Sequence, residues 1–382
     1  MKSFFLKLLT VASALALSFL LIEVGLRLFV PVTDHPYTEY EPDLGVHLTP
    51  MQEGKVTLGV FGDFQAAYRV NNAGWNSIHD YQAEKPNGTL RIAVIGDSFV
   101  EALGVDVDKG FQVQMERRLN QLDSCPGYDN VEIYSFGYSG IPMSQYVSIM
   151  RHVQQAYSPD AYIVNIFPLN DFEASLKNED DTGDSHILTY RPNDQGGFVE
   201  VPPVPYTPSR LKRFVSNFAI VRYVLLNLNV KSHPVVRQIM AQPSFYGNRS
   251  VKDDDLLSRF TTFVFGEYKE IADERPLLIV ADANRNGIYT EHGLSPGDFE
   301  GVYPVDPRYY DFIERAVTTS DISYLPLHPV LADDFAKNRK RFEFVSNGRT
   351  LDSHWNAHAN ELIGAALAAW AQSNVCGVEQ QQ

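Results

Sequence analysis

The stretch RIAVIGDSFVEALGV, residues 91–105, decides the fold. Its apolar run LRIAVIG (90–96) ends in glycine, as a fully buried strand does. Gly-Asp-Ser follows, then a segment with helical character. Gly-Asp-Ser alone is a common turn, with Asp or Ser capping a helix. The chain holds a second copy at Gly183-Asp184-Ser185. That copy lacks a preceding strand and sits in an acidic loop, so Ser185 is given no role.

Outward from this stretch the pattern alternates. GFQVQMERRLNQL carries Phe111, Met115, Leu119 and Leu122 at helical spacing. VEIYSFG (131–137) reads as a second strand, Tyr146 to Tyr157 as a second helix and AYIVNIF (161–167) as a third strand. Strand, helix, strand, helix, strand is the signature of a parallel sheet with crossover helices. The alternation stops over residues 172–254, which are rich in charge, proline and glycine and are read as an insertion, with a lid as one use. It resumes with a helix from about Leu256 to Ile271 and the strand PLLIVAD (276–282). A helix near RYYDFIERAV, a strand ISYLPL (322–327) and a last helix after DSHWN follow. Residues 31–88 read as a small β-rich lead-in.

The chain has 382 residues and a formal net charge of −15. An acidic surface repels phosphates and argues against a nucleic-acid partner. No basic stripe, zinc-finger spacing or P-loop is present, and no His/Asp cluster suggests a metal, so no cofactor is expected. The opening MKSFFLKLLTVASALALSFLLIEVGLRLFV places Lys2 and Lys7 before an uncharged apolar run, Leu8 to Ile22. A cleaved signal peptide would put its small-x-small site after the run, but Ala12, Ala14 and Ala16 lie inside it. The placement favours an uncleaved signal anchor over residues 1–30. Lysines before the run put the N-terminus in the cytoplasm and the bulk outside. Cys125 and Cys376 lie in polar stretches, and neither reads as a buried core thiol. Whether they pair turns on the compartment.

Ligands of parallel sheets bind at the carboxyl ends of the strands. Past the first strand come Asp97 and Ser98, past the second Ser139 and Gly140, past the third Asn170 and Asp171. Before the last helix come Asp352 and His354. A serine hydroxyl needs a base, and imidazole serves near pH 7. The imidazole needs a carboxylate to fix its tautomer. An oxyanion needs donors, and Ser98 N–H, Gly140 N–H and the Asn170 amide are the candidates. Asp97 and Asp171 are expected to hold their turns through backbone N–H groups. His358, one turn beyond His354, is expected to cap or pack. Trp355 is a candidate sugar platform, though a core tryptophan is the plainer reading.

These blocks, IGDSFVEALG, YSFGYSG, FPLND and LDSHWNAHANELIGAAL, resemble the SGNH, or GDSL, hydrolase superfamily in the family's order, from about residue 89 to the C-terminus. The resemblance implies a three-layer α/β/α flavodoxin-like fold over residues 89–382. It puts the four functional blocks on Ser98, Gly140, Asn170 and His354, with Asp352 as the His354 partner. VNNAGWNS (70–77) and the anchor resemble membrane-tethered bacterial members. The chain departs from the family pattern twice. Pro168 stands where the third block has glycine, which removes a backbone donor and puts the pose of Asn170 in question. Asp352-Ser353-His354 is shorter than the usual Asp-x-x-His, a spacing that resembles extracytoplasmic polysaccharide O-acetyltransferases. The implied activity is hydrolysis of acyl esters, acetyl foremost, on a cell-envelope or exported glycan. O-acetyl transfer through the same triad stays open, as does a non-catalytic glycan-binding protein on this scaffold. A metal-dependent phosphodiesterase is the weakest reading.

Overall fold

The structure is a computed structural model, and it describes residues 2–121, 124–177, 185–205, 207–228, 230 and 253–377. Thirteen strands are described: β1 Thr38–Glu41, β2 Gly45–Leu48, β3 Gln52–Leu58, β4 Phe64–Val70, β5 Thr89–Gly96, β6 Asn130–Gly137, β7 Ala161–Ile166, β8 Thr189–Pro192, β9 Phe198–Val201, β10 Leu277–Ala281, β11 Ser323–Pro326, β12 Phe344–Ser346 and β13 Arg349–Asp352. Five of them form the central sheet in the order β6-β5-β7-β10-β11. Every pairing in it is parallel. Renumbered along the chain this is 2-1-3-4-5, the flavodoxin-like order, with its switch point between β5 and β7.

The sheet separates two apolar layers. Along β5, Ala93 and Ile95 face one layer while Leu90, Ile92 and Val94 face the other. Strands buried on both faces read as continuous apolar runs, which is why β5, β6, β7 and β10 were legible. The first layer is closed by helices Met143–Tyr157, Asp254–Ala272 and Arg308–Ser320. The second is closed by Phe111–Leu119, Arg285–Glu291, His328–Asn338 and Ala357–Asn374. The architecture is therefore three layers, α/β/α. Two antiparallel hairpins, β1-β2 and β3-β4, form the β-rich lead-in.

One expectation needs correction, that of the cysteines. Of the segment expected as an insertion, Leu176, Ile187, Leu188 and Tyr190 are buried in the first apolar layer. Residues 210–228 bond to Thr33, Asp34 and Thr38 of the lead-in, and 178–184, 206, 229 and 231–252 lie outside the described residues. Cys125 and Cys376 are buried, against expectation, and joined in a disulfide. Leu122, expected on the second-layer helix, is outside the described residues; that helix ends at Leu119.

The N-terminal helix, Lys2–Phe29, extends past the apolar run at both ends. From Ser3 to Phe29 it is long and apolar enough to cross a membrane.

The disulfide spans 251 residues of sequence and ties the last helix to the β5–β6 crossover. Such a link should contribute about 2–4 kcal/mol by restricting the unfolded chain. Replacing both cysteines by serine is expected to lower the urea midpoint accordingly, measured on oxidised protein. An unchanged midpoint would show that the link adds nothing to stability.

Candidate functional site

β5 ends at Gly96, and the chain turns at once into the short helix Ser98–Glu101. Asp97 caps it: its carboxylate accepts from Phe99 N at 3.0 Å. This turn places Ser98 at the carboxyl edge of the sheet. Gly137, the last residue of β6, lets the helix sit close. A Cβ there would fall 2.2 Å from Glu101 N and 2.5 Å from the Val100 carbonyl carbon. A side chain at 137 would therefore push the serine off the sheet edge.

His354 arrives from the other end of the sequence. β12 and β13 form a hairpin that delivers Asp352, and residues 353–356 lead into the last helix. Ser98 Oγ and His354 Nε2 are 2.7 Å apart. His354 Nδ1 and Asp352 Oδ1 are 2.5 Å apart, and the same oxygen accepts from His354 N at 2.7 Å. With Nδ1–H donating to the carboxylate, Nε2 is left as an acceptor for the serine proton.

The electrostatics follow from this packing. Burial pulls the His354 pKa down, but the Asp352 carboxylate outweighs it by charge and hydrogen bond, and Asp97 adds to it. The net shift is upward from 6.5. Burial raises Asp352, and the facing His354 more than reverses this, so its carboxyl lies below the usual range.

Of the remaining expected residues, Gly140 lies on the loop after β6 with φ +79°, a left-handed conformation suited to glycine. Asn170 opens the short helix Asn170–Glu173. Its side chain lies outside the described residues. Asp171 is fully buried and accepts from Phe167 N at 2.8 Å and from Tyr146 OH at 3.0 Å. Burial drives its pKa up, and Asp97 adds to this. His358 is turned away: its Nε2 meets Asp334 Oδ2 at 2.7 Å and its ring stacks on Phe342. Trp355 is a buried core residue, its indole N–H donating to Asp282 at 2.9 Å. Ser185 is buried and donates to Ile187 O.

Three residues at the site were not singled out from sequence. Glu101, three residues after Ser98, is buried. It accepts from Ser139 N at 2.8 Å and from Ser139 Oγ, so it clamps the residue before Gly140 to the Ser98–Glu101 helix. Burial pushes its pKa up to about 7, against the pull of the Ser139 donors and His354. Helical i, i+3 spacing from Ser98 was the available signal. Arg285 is buried against Asp282 at 3.2 Å and donates to Ser353 O at 2.7 Å. Its signal was ADANR (281–285), charged residues just past β10. Tyr303 donates its N–H to Ser353 Oγ and turns its ring edge-on to His354, with centroids 6.0 Å apart.

Among the described residues, no group of three or more His, Cys, Asp or Glu side chains is arranged to hold a metal. Chemically, the arrangement can deprotonate a hydroxyl and hold the resulting imidazolium against a carboxylate.

No family model and no curated protein matches the chain. Solved structures do. An acetyl xylan esterase shares 12% identity at a TM-score of 0.40, over 74% of this chain and 100% of that one. A lipase/acylhydrolase from Enterococcus faecalis shares 12% at 0.37, over 74% and 95%. A putative GDSL-like lipase from Parabacteroides merdae shares 10% at 0.38, over 76% and 99%.

The His354 ring should titrate above 6.5 by proton NMR. In Asp352→Asn the attraction is lost while the burial stays, so the pKa should fall below the wild-type value. An unchanged titration would separate the two residues in solution.

Proposed function

We propose that this chain is a serine-dependent ester hydrolase of the SGNH type, held at a membrane by its N-terminal helix with the α/β/α body on the extracytoplasmic side. The observation that carries the reading is the unbroken run of hydrogen bonds from Ser98 Oγ through His354 to Asp352. The proposed substrates are acyl esters, acetyl foremost, of a cell-envelope or exported glycan. The apolar N-terminal helix and the family resemblance of the sequence blocks support that choice.

In the proposed reaction Ser98 Oγ attacks the ester carbonyl carbon, and its proton passes to His354 Nε2. The oxyanion is received by the N–H groups of Ser98 and Gly140 and by the Asn170 amide. As the intermediate collapses, the bond to the leaving alcohol breaks and His354 returns the proton to it. Water then attacks the acyl-serine with His354 again as base, releasing the acid and restoring Ser98. A sugar hydroxyl in place of that water would give O-acyl transfer through the same acyl-enzyme. The Asp352-Ser353-His354 spacing is what keeps that second outcome in view.

Hydrolysis of p-nitrophenyl acetate, with and without oligosaccharide acceptors, tests both. Ser98→Ala should lose several orders of magnitude in kcat, and Ser185→Ala none. Near-wild-type turnover in Ser98→Ala would end the proposal. His354→Ala should be as severe, with the double variant no worse, because the two act as one unit.

Glu101 is proposed as a positioning residue for the Gly140 loop. Glu101→Ala should lower kcat roughly 10- to 100-fold with KM nearly unchanged, since a displaced oxyanion donor acts only in the transition state. Glu101→Gln keeps an acceptor for Ser139 N and should recover most of the loss. Equal damage in both variants would point to the charge rather than to the position of the loop.

A further inference from the structure

The N-terminal helix is not an isolated tail. Phe19 packs edge-on against Phe218, with ring centroids 5.4 Å apart. Glu23 is buried beneath the chain at 219–220 and accepts from Ala219 N at 2.9 Å and Ile220 N at 3.0 Å. Arg27 bonds Glu23 at 2.7 Å and donates to Asn217 O at 2.7 Å. Residues 210–228 are thus docked on the last third of this helix.

The depth of that contact matters. At about 1.5 Å per residue the 28-residue helix reaches roughly 42 Å, more than the hydrocarbon core of about 30 Å. A span beginning near Lys7 ends about 20 residues on, near Arg27, with Glu23 about 6 Å and Phe19 about 12 Å inside that far interface. What is docked along residues 19–27 therefore runs from the outer hydrocarbon to headgroup level. Glu23, an acid inside the apolar stretch, is accommodated because two backbone N–H groups and Arg27 meet its charge.

The docked segment has the composition of an interfacial element. Leu211 is 71% exposed and Phe214 62%, with Val215, Val224 and Leu228 also exposed. Phe61, at the tip of the β3-β4 hairpin, is 84% exposed. The hairpin is held to the segment by Tyr223 OH donating to Val60 O at 3.2 Å. Within 210–228 stand Arg210, Lys212, Arg213 and Arg222 and no Asp or Glu, in a chain with 47 acids against 32 bases. A recess of about 360 Å³ at the same place is lined by Arg27, Lys55 and Arg222, with Asp34. Exposed Leu and Phe beside Lys and Arg suit the boundary of an anionic bilayer.

We propose that residues 210–228 and the β3-β4 tip form a collar that seats the body on the bilayer, its apolar side chains entering the outer leaflet and its cations meeting anionic headgroups. The occupant is the lipid surface that the N-terminal helix itself enters, so the inference rests on the anchor reading. The collar fixes the height of the body, and with it the Ser98 edge, above the lipid rather than leaving it on a free tether.

The full chain in vesicles of phosphatidylcholine and phosphatidylglycerol tests this. Both native cysteines are bonded to each other, so one introduced cysteine takes a fluorophore alone. Labels at Leu17→Cys, on the helix, and Leu211→Cys, on the collar, are exposed to spin-labelled lipid. Quenching at both positions is expected. Quenching at 17 with none at 211 would overturn the collar and leave the anchor standing. No quenching at 17 would remove the anchor, and the inference with it. Arg210→Glu with Lys212→Glu should cut the quenching at 211 by about half or more while 17 is unaffected. Equal quenching at 211 in that variant would overturn the role given to headgroup charge.

Discussion

The guanidinium of Arg285 holds the His354 side of the site to the sheet. It is buried between Asp282 and Glu343, and its Nη1 donates to the Ser353 carbonyl at 2.7 Å. Around it the segment 352–356 is tied almost residue by residue. Ser353 Oγ takes the Tyr303 N–H, Trp355 donates to Asp282, and Asn356 donates to the carbonyls of Arg341 and Glu343. Glu343 is held in turn by Tyr289 OH at 2.7 Å. A buried ion pair of this kind adds little net stability compared with apolar packing. Removing one partner is another matter, and costs roughly 3–5 kcal/mol because a charge is left buried without a counterpart. What the network supplies is a fixed position for one imidazole, reached by a chain that returns 256 residues after the serine it meets.

The fold was legible wherever burial alone dictated the residues. The strands β5, β6, β7 and β10 are buried throughout and read as apolar runs between turn signals. β12 and β13 were not read, although FVSNGRT held the signal. Asn347 and Gly348 both have positive φ, 50° and 76°, and join Ser346 to its partner Arg349 as a two-residue hairpin turn does. Their exposed faces and short length hid the alternation. The helices Arg285–Glu291 and His328–Asn338 escaped for a related reason, since each packs through few side chains.

At the site, the residues that sit on turns after strands could be listed from sequence. The residues that hold those turns could not, because their meaning lies in tertiary distance. Glu101 looks like an ordinary helical acid until Ser139 is beside it. Arg285 looks like a surface cation until Asp282, Glu343 and Ser353 enclose it. The same holds for residues 210–228. A separation of 196 residues from Glu23 to Ala219 puts their docking on the N-terminal helix beyond any local pattern.

The carboxylates close the argument. Asp97, Glu101, Asp171 and Asp282 are all buried near the carboxyl edge of the sheet, and burial raises the pKa of each. Asp97 is pushed to about 6 and Glu101 to about 7, and both feel His354 as a favourable charge. Acids kept in this way oppose folding as pH rises, because each must ionise in a poor environment. His354 in its protonated form relieves Asp97 and Glu101 together. In the proposed reaction that form arises as the serine proton is taken. The field that is costly in the resting protein is therefore directed at the charge that develops during acyl transfer, which is how a preorganised site favours a transition state over its ground state.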